Sequence, residues 1–408
     1  MVTRDPVGQR SETVRRANLS AIVRELHDRG ALSRSELVAR TGLTRSAIRS
    51  LIGEFVAADL VTEEPGAPDG APGRPSPIVR PRCESAVVLA LEISVDSLGA
   101  AVVGLGGDIL AHVRVDRLRG HLSVDDIVAD LVALAAPLAQ PHREALIAIG
   151  VGVVGVVRRR DGFVSTAPNL GWRDVPLGDR IAAALGFEHP VYVANEADLG
   201  ALVELRRGAA YGADNLLFIQ GEVGVGGGII VDGQPLTGAA GFAGEIGHMP
   251  VNPDGVACQC GSIGCWETEI GEGALLARAG RSPGGGRQAV DSVIADAAAG
   301  EPVALEAIDA IGRSLGRGLA GLVNLLNPRV VVLGGLFARL YPFFSGTLDE
   351  QLDRYGLAAP RGLVRIAPAN LGMEAPLLGA AELAFEPFLA DPASWLGARE
   401  LLAAAASA

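Results

Sequence analysis

The chain has 408 residues, of which 49% are hydrophobic and 20% are charged, and its formal net charge is -12. This length allows two or three hydrophobic cores, and an acidic chain is not expected to be coated in nucleic acid over its whole surface. No apolar run is long enough to span a bilayer, and the N-terminal segment lacks the apolar stretch of a signal peptide. We therefore expect a cytoplasmic protein that does not contact a membrane.

The charge is unevenly distributed along the chain. Residues 1–82 contain 13 Arg and 10 acidic residues, whereas the rest of the chain contains 22 Arg and 37 acidic residues. A mildly basic head on an acidic body is typical of a local DNA-binding module. The Pro- and Gly-rich stretch Pro65–Pro81 follows the head and predicts a linker or an extended wing.

The sequence of the head predicts three helices and a strand. Apolar residues within Thr13–His27 have the spacing of one helix face. Ser33–Glu36 has the capping-box pattern, which begins a second helix. Thr44 can cap a third helix that runs to about Ala58, and Leu60–Thr62 predicts a short strand. This order, with a Gly- and Pro-rich return, predicts a winged helix-turn-helix, whose last helix reads the major groove.

The candidate DNA contacts are the residues of the third helix that face away from its apolar side. Arg can bind guanine through two hydrogen bonds, and Thr and Ser suit phosphates or single base contacts. The outward-facing positions are Thr44, Arg45, Ser46, Arg49 and Ser50. Arg74, between a Gly and a Pro, is a candidate minor-groove contact. Solvated surface positions and a plain linker are the alternatives.

The body after Arg82 alternates between strands and helices, which predicts an α/β architecture with more than one sheet. The predicted helices include Val124–Leu138 and Ala304–Leu326. The predicted strands are Ala86–Ile93, Gly99–Val103, Leu146–Val157, Val191–Ala194, Leu216–Ile219 and Val330–Leu333.

A group of metal-ligating residues lies in the second half of the chain. Cys258, Cys260 and Cys265 fall within eight residues of one another, and His248 precedes them. One imidazole and three thiolates make a closed tetrahedral set that suits structural Zn²⁺ and leaves no position for a catalytic water. Clustered thiols in a cytosolic chain favour metal over disulfides. Unligated cysteines and a redox switch are the alternatives.

The segment Gly241-Phe-Ala-Gly-Glu-Ile-Gly-His248, followed by the C-x-C-x4-C cysteines and Glu267, resembles the signature of the ROK family of repressors and sugar kinases. The head resembles the start of the family's regulators. The resemblance implies a two-lobed actin-like (ribonuclease H-like) sugar-kinase fold behind a winged helix-turn-helix. The domains that we expect are 1–64 for the head, 65–82 for the wing or linker, 83–200 for lobe I, completed by a C-terminal helix at about 380–408, and 201–379 for lobe II with the zinc site.

The resemblance also implies a sugar-binding set. In the family, residues at these positions contact sugar hydroxyls, and carboxylates are good acceptors for them. One ring nitrogen of His248 can hold zinc while the other faces the sugar. The residues that this resemblance assigns to sugar binding are Asn169, Asn195, Glu196, Glu245, His248 and Glu267.

The parts that a kinase of the family needs for ATP differ in this chain. Family kinases carry Asp-x-Gly-Gly-Thr after the first strand, where this chain has Glu92–Asp96. The second phosphate loop, usually Gly-Thr-Gly, begins here with Glu222 and Val223, and Glu196 replaces the catalytic Asp. We therefore expect sugar binding without phosphoryl transfer. Gly334-Gly335 still resembles the family's adenosine-side turn.

These features predict a sugar-responsive transcriptional regulator. A repressor of carbohydrate uptake or utilisation genes that a sugar effector releases from operator DNA is the expected form, although sugar-dependent activation would fit the same features. A homodimer or homotetramer would match the spacing of paired heads to paired half-sites. An ATP-dependent sugar kinase with a DNA-binding head is a competing hypothesis, and so is a repressor with a vestigial pocket.

Overall fold

A computed structural model describes residues 11–66, 75–120 and 123–398. Among these residues, no helix combines the length and the apolar character that a membrane crossing requires. The helices are α1 Ser11–Arg29, α2 Arg34–Thr41, α3 Arg45–Ala57, α4 Val124–Ala139, α5 Leu177–Leu185, α6 Glu196–Arg207, α7 Trp266–Ile270, α8 Glu272–Arg278, α9 Gly286–Ala298, α10 Pro302–Leu326, α11 Leu336–Tyr355, α12 Ala358–Leu363 and α13 Ala375–Ala390.

The strands alternate with these helices along the body. They are β1 Leu32–Ser33, β2 Val61–Glu64, β3 Ile78–Pro81, β4 Val87–Ile93, β5 Ser97–Gly104, β6 Ile109–Asp116, β7 Leu146–Val153, β8 Val156–Arg158, β9 Phe163–Ala167, β10 Trp172–Val175, β11 Val191–Asn195, β12 Leu216–Gly221, β13 Val225–Val231, β14 Gln234–Pro235, β15 Val330–Gly335 and β16 Arg365–Pro368.

The head has the three helices and the wing strands of a winged helix-turn-helix. The Ser33 hydroxyl accepts a hydrogen bond from the Glu36 backbone N–H (3.1 Å), and the Glu36 carboxylate accepts one from the Ser33 N–H (2.7 Å). The Thr44 hydroxyl likewise accepts from the Ala47 N–H (3.2 Å) and caps α3. Strand β3 lies between β1 and β2 in an antiparallel sheet. Local sequence signals therefore set where both helices begin.

The body contains two five-stranded sheets of matching design. Their strand orders are β11-β7-β4-β5-β6 and β14-β13-β12-β15-β16, and a smaller sheet has the order β10-β9-β8. In each large sheet, one half is antiparallel and the other half is parallel. The mixed α/β architecture that the sequence predicts is confirmed.

The prediction of one strand over Leu146–Val157 is wrong. The chain leaves the first large sheet after Val153 and starts β8 at Val156, which pairs with β9 instead. Gly155 makes this turn with φ +116°, and a Cβ there would lie 2.5 Å from the Thr166 carbonyl oxygen. An unbroken apolar run hid the break, because hydrophobic periodicity does not report a change of sheet.

Helix α6 lies between the two halves of the body. Leu199 and Leu202 pack in one hydrophobic core with α13, whereas Ala197 and Ala201 pack with β12 in another. The boundary between lobes that we expected at residue 200 falls inside this helix. Helix α13, at the far end of the chain, packs on β4 and β7 of the first large sheet. The same hydrophobic core extends into the head through α1.

A buried polar network joins the head to the body. Glu382 of α13, whose side chain is 3% exposed, accepts hydrogen bonds from Arg206 (2.7 Å) and Arg207 (2.5 Å) of α6. His27 of α1 places its Nε2 3.1 Å from Glu382, and its Nδ1 accepts from the Gly106 N–H (3.1 Å). Burial alone would raise the pKa of Glu382, but His27 and the two arginines hold this pKa well below its ordinary value.

We predict that Glu382→Ala destabilises the docked head by about 3–5 kcal/mol, because it leaves two largely buried arginines without their shared carboxylate. The matched control is Glu386→Ala, which removes a 43% exposed carboxylate that also binds Arg206 and should cost no more than about 1 kcal/mol. Urea unfolding, with hydrogen exchange in α1 as the local probe, measures both variants. Equal losses would contradict the central position of Glu382.

Candidate functional site

A cavity of about 600 Å³ opens where strands of both large sheets end. Glu92 near the end of β4, Asn195 at the end of β11, Gln220 of β12 and Gly335 at the end of β15 all line it. The carboxyl ends of parallel strands are the usual place for a ligand cleft in α/β proteins. The cavity therefore has residues from both halves of the body in its wall.

The structure brings the predicted sugar-binding residues together in this one cavity. They come from four separate segments of the chain, which only the fold makes neighbours. The predicted residues that line the cavity are Asn169, Asn195, Glu196, Glu245, His248 and Glu267.

Asn195 also has a structural task. Its Nδ2 donates to the Gly155 carbonyl oxygen (2.8 Å), and its Oδ1 accepts from the Ala197 N–H (2.7 Å), which caps α6. One N–H and one lone pair of the side-chain amide remain for a ligand. The cap holds the first turn of α6, which begins with Glu196, at the edge of the cavity.

Carboxylates crowd the part of the cavity that lies beyond Asn195. Burial, with Glu222 and Glu92 nearby, raises the pKa of Glu196 to about 8. Glu222 is accessible from the cavity, but partial removal from bulk water, together with nearby Asp96 and Glu92, raises its pKa to about 7. Ser94 Oγ lies 3.0 Å from Glu92 Oε1 and 3.5 Å from Glu196 Oε2, so it links the two carboxylates. Near neutral pH, Glu196 can therefore carry a proton and donate a hydrogen bond.

The sequence did not point to the arginines that accompany these acids. Arg114 donates to Glu92 (3.0 Å), a partner 22 residues away, and Arg119 donates to Glu272 (2.6 Å), a partner 153 residues away. Arg287 also lines the cavity. No local motif marks such pairs, because the fold alone makes these side chains neighbours.

The four predicted metal ligands are also neighbours. One ligand atom from each of His248, Cys258, Cys260 and Cys265 lies within 4.8 Å of the others. His248 Nδ1 is 3.7 Å from Cys258 Sγ, and Cys260 Sγ is 3.6 Å from Cys265 Sγ. A tetrahedral ion with metal–sulfur bonds of about 2.3 Å holds its ligand atoms roughly 3.5–3.8 Å apart. The cluster can therefore hold a metal ion.

The loop that carries the cysteines is fixed at its C-terminal end. Gly264 has φ +66°, and a Cβ there would lie 1.6 Å from the Asn252 carbonyl oxygen, so the loop closes tightly at this residue. Trp266 is fully buried, and its indole N–H donates to the Ser314 carbonyl oxygen of α10 (3.2 Å). These contacts connect the cysteine loop to the core of the second half of the body.

Glu267 lies between the metal cluster and the cavity. The Cys258 thiol donates to Glu267 Oε1 (2.8 Å), while Glu267 Oε2 lies 3.4 Å from the Val225 N–H across the cavity wall. Because a metal-bound thiolate has no proton to donate, metal binding and the position of this carboxylate are coupled.

The predicted DNA contacts on α3 all lie on the surface of the head. Ile48 and Leu51 are buried in the head core, as the periodicity predicts. Arg74 lies outside the described residues, so its proposed minor-groove contact stays a prediction. The exposed candidates are Thr44, Arg45, Ser46, Arg49 and Ser50.

Comparisons with known proteins match nearly the whole chain. The profile of the ROK family matches residues 88–386. The xylose repressor of Bacillus subtilis is 27% identical over 382 residues, which cover 92% of this chain and 97% of that protein. The glucokinase of Streptomyces coelicolor is 30% identical over 318 residues, which cover 74% of this chain and 98% of the glucokinase.

Solved structures give the same picture of the fold. A ROK family transcriptional regulator that is a homologue of the E. coli MLC protein superposes with a TM-score of 0.75 at 24% identity, over 95% of this chain and 98% of that one. A ROK family glucokinase from Streptomyces griseus, in complex with glucose and AMPPNP, superposes with a TM-score of 0.65 at 30% identity, over 73% of this chain and 99% of that one.

We predict that the folded protein loses stability as the pH rises from about 5 to about 8. The ordinary pKa of a Glu side chain is 4.5, whereas in the fold the pKa of Glu196 is about 8 and that of Glu222 is about 7. The folded state therefore binds more protons than the unfolded chain in this range, and deprotonation costs stability. Thermal unfolding midpoints across this pH range measure how steeply stability falls with pH. Glu196→Gln should make this fall less steep.

The matched control is Glu144→Gln, at an exposed position away from the cavity, which should keep the wild-type slope. A Glu196→Gln variant with the full wild-type pH dependence would contradict the assignment to Glu196.

Proposed function

The chain belongs to the ROK family, and from this premise we propose that it is a sugar-responsive repressor of transcription that binds operator DNA through its winged head. The observation that carries the proposal is the extent of the similarity. The alignments with xylose repressors cover 92% or 93% of this chain and so extend into the head. The alignment with the glucokinase covers 74% of it.

The cavity supports a sugar as the effector. Glu245 and Glu267 offer carboxylate oxygens to hydroxyl donors. The side-chain amides of Asn169 and Asn195 offer both N–H donors and carbonyl acceptors. A protonated Glu196 adds a donor at the edge of the acid-rich end. Convergent polar groups of this kind fix the orientation of a small polar ligand.

The same cavity supports binding without phosphoryl transfer. A Cβ on Gly335 would lie 2.6 Å from Glu222 Oε1. An acid therefore lies beside the turn that resembles the family's adenosine side. Glu196 has a pKa of about 8 and is a poor base while it is protonated. The similarity to glucokinases favours an ATP-dependent sugar kinase as the second candidate. A coupled assay that finds sugar-dependent ADP release would select it.

The metal cluster supports a structural Zn²⁺ ion held by His248 Nδ1 and three thiolates, since its atoms have the spacing of a tetrahedral site. Zinc in such a closed set supplies a brace and no reaction step. His248 and the neighbouring Glu267 would be held at the cavity, so the metal would fix part of the sugar site.

Helix α6 offers a physical route from the sugar to the head. Glu196 at its first turn lines the cavity, and Arg206 and Arg207 at its last turn contact Glu382 beside His27. The helix spans roughly 18 Å at about 1.5 Å per residue. A change in the closure of the two halves around sugar would move both ends together. In a homodimer or homotetramer, such motion would alter the spacing of paired heads on their half-sites.

Selection of genomic DNA fragments on the immobilised full chain, followed by sequencing, tests the proposal. The fragments obtained then serve in release assays with a panel of monosaccharides and disaccharides. We expect one specific DNA motif and at least one sugar that releases it. If the selection enriches no DNA motif, the repressor function is contradicted. If no sugar releases the chain from the enriched DNA, the sugar response is contradicted.

We predict that Arg45→Ala and Arg49→Ala each weaken binding to the selected DNA by about 10- to 100-fold, because each removes a candidate base contact from α3. Fluorescence anisotropy at fixed salt measures the affinities. The matched control is Arg160→Ala, which removes the same charge from a 79% exposed side chain of the body and should leave the affinity within about threefold. Equal losses in all three variants would mean that α3 does not read the DNA.

We predict that the purified chain carries about one zinc ion and that Cys258→Ser loses most of it, because a closed site depends on all four ligands. Metal analysis by mass spectrometry gives the stoichiometry. Cys83→Ser is the control, since Cys83 is half-buried outside the cluster and should not affect zinc. Sugar affinity should fall with zinc content because Glu267 lies against Cys258. Full zinc content in Cys258→Ser would contradict the site.

A further inference from the structure

We infer that the cavity takes an unphosphorylated sugar and excludes anionic ligands such as sugar phosphates, because the arginines in its wall are already bound to carboxylates. This inference rests on the proposed sugar response and narrows the chemical class of the effector.

Arg119 is the most firmly held of these arginines. Two of its nitrogens donate to the two carboxylate oxygens of Glu272 at 2.6 and 2.9 Å, and one also donates to Asp96 at 3.1 Å. Arg287 lies 3.6 Å from the same Asp96. Asp96 belongs to the turn between β4 and β5 in the first half of the body, whereas Glu272 and Arg287 belong to α8 and α9 in the second half. These ion pairs therefore cross the cavity and connect its two walls.

The other two arginines of the wall also have acidic partners, and the pair of Arg339 is the more exposed of the two. Arg114 donates to Glu92 (3.0 Å) and to the hydroxyl of buried Ser97 (2.7 Å). Arg339 of α11 forms an ion pair with Asp291 of α9. In the described part of the chain, the arginines that line the cavity are Arg114, Arg119, Arg287 and Arg339.

Further carboxylates face the same space. Glu92, Glu196 and Glu222 line the cavity beside these ion pairs, so an anion that enters here meets carboxyl groups as well as paired arginines. The arginines therefore do not make this end of the cavity attractive to anions.

A phosphate ester would need what this wall lacks. It carries a charge of about −1.5 to −2 near neutral pH and is bound by arginine forks or backbone amides. To enter, it would have to displace a carboxylate from an arginine and then lie beside the remaining acids. A sugar hydroxyl needs only an acceptor or a donor, and the carboxylates and amides of the cavity provide both.

The first test compares each free sugar with its phosphate ester by calorimetry on the full chain. The probes are glucose, mannose, xylose and N-acetylglucosamine, each beside its monophosphate. We expect at least one free sugar to bind and its ester to bind at least about 100-fold more weakly. An ester that binds as tightly as its sugar would overturn the inference.

The second test frees an arginine and uses pyrophosphate as the probe. The double variant Asp96→Asn with Glu272→Gln keeps the side-chain sizes but removes both acids that bind Arg119. The matched control is Asp349→Asn with Asp353→Asn, which removes both acids that bind Arg361 (2.8 and 2.7 Å) outside the cavity. We expect pyrophosphate binding in the first variant, at least about tenfold tighter than in the wild type and the control.

The two tests separate the possible failures. If no sugar and no ester binds while the freed arginine gains pyrophosphate, the proposed sugar response fails and the charge barrier is supported. If the wild type binds pyrophosphate as well as the variant does, or if the variant gains nothing, the charge barrier is overturned whatever sugar binds. Thermal midpoints of both double variants confirm that each is folded.

Discussion

The structure depends most on one buried carboxylate, that of Glu382. A charge removed from water is stable only if every neighbour compensates for it, and here a helix of the head and a helix of the body both contribute. His27 reaches Glu382 from the head, and Arg206 and Arg207 reach it from the body, so this one carboxylate joins the two parts. Head and body also share one hydrophobic core, so the DNA-reading surface has a fixed relation to the body that senses the ligand.

Helix α6 connects this network to the cavity. Its first turn is capped by Asn195 at the cavity, and its last turn contributes two arginines to Glu382. The cavity itself has two chemical ends. One end has Glu245, Glu267 and the four candidate metal ligands. The other end has acids and arginines whose charges neutralise one another. A ligand therefore meets polar acceptors at one end and paired acids and arginines at the other.

The sequence predicted what local chemistry determines and missed what the fold determines. The capping box at Ser33 and the cap at Thr44 are local, so the first residues of α2 and α3 followed from a few residues. Cysteine spacing predicted a metal cluster, whose four ligands do lie together, although the identity of the metal stays a prediction. The break at Gly155 and the pairing of Arg119 with Glu272 depend on contacts between distant segments, and no spacing or periodicity reports these contacts.

The position of α13 in the chain has a consequence for biosynthesis. This helix packs on the central strands of the first large sheet and supplies Glu382, yet it is translated after nearly all of the strands and helices that it contacts. On the ribosome, the head emerges early and can fold from local signals, whereas its seat is incomplete until α13 leaves the exit tunnel. Each nascent chain therefore passes through a stage in which the head is attached to a body that lacks α13. A prematurely terminated chain would stay in that stage and would escape control by the ligand.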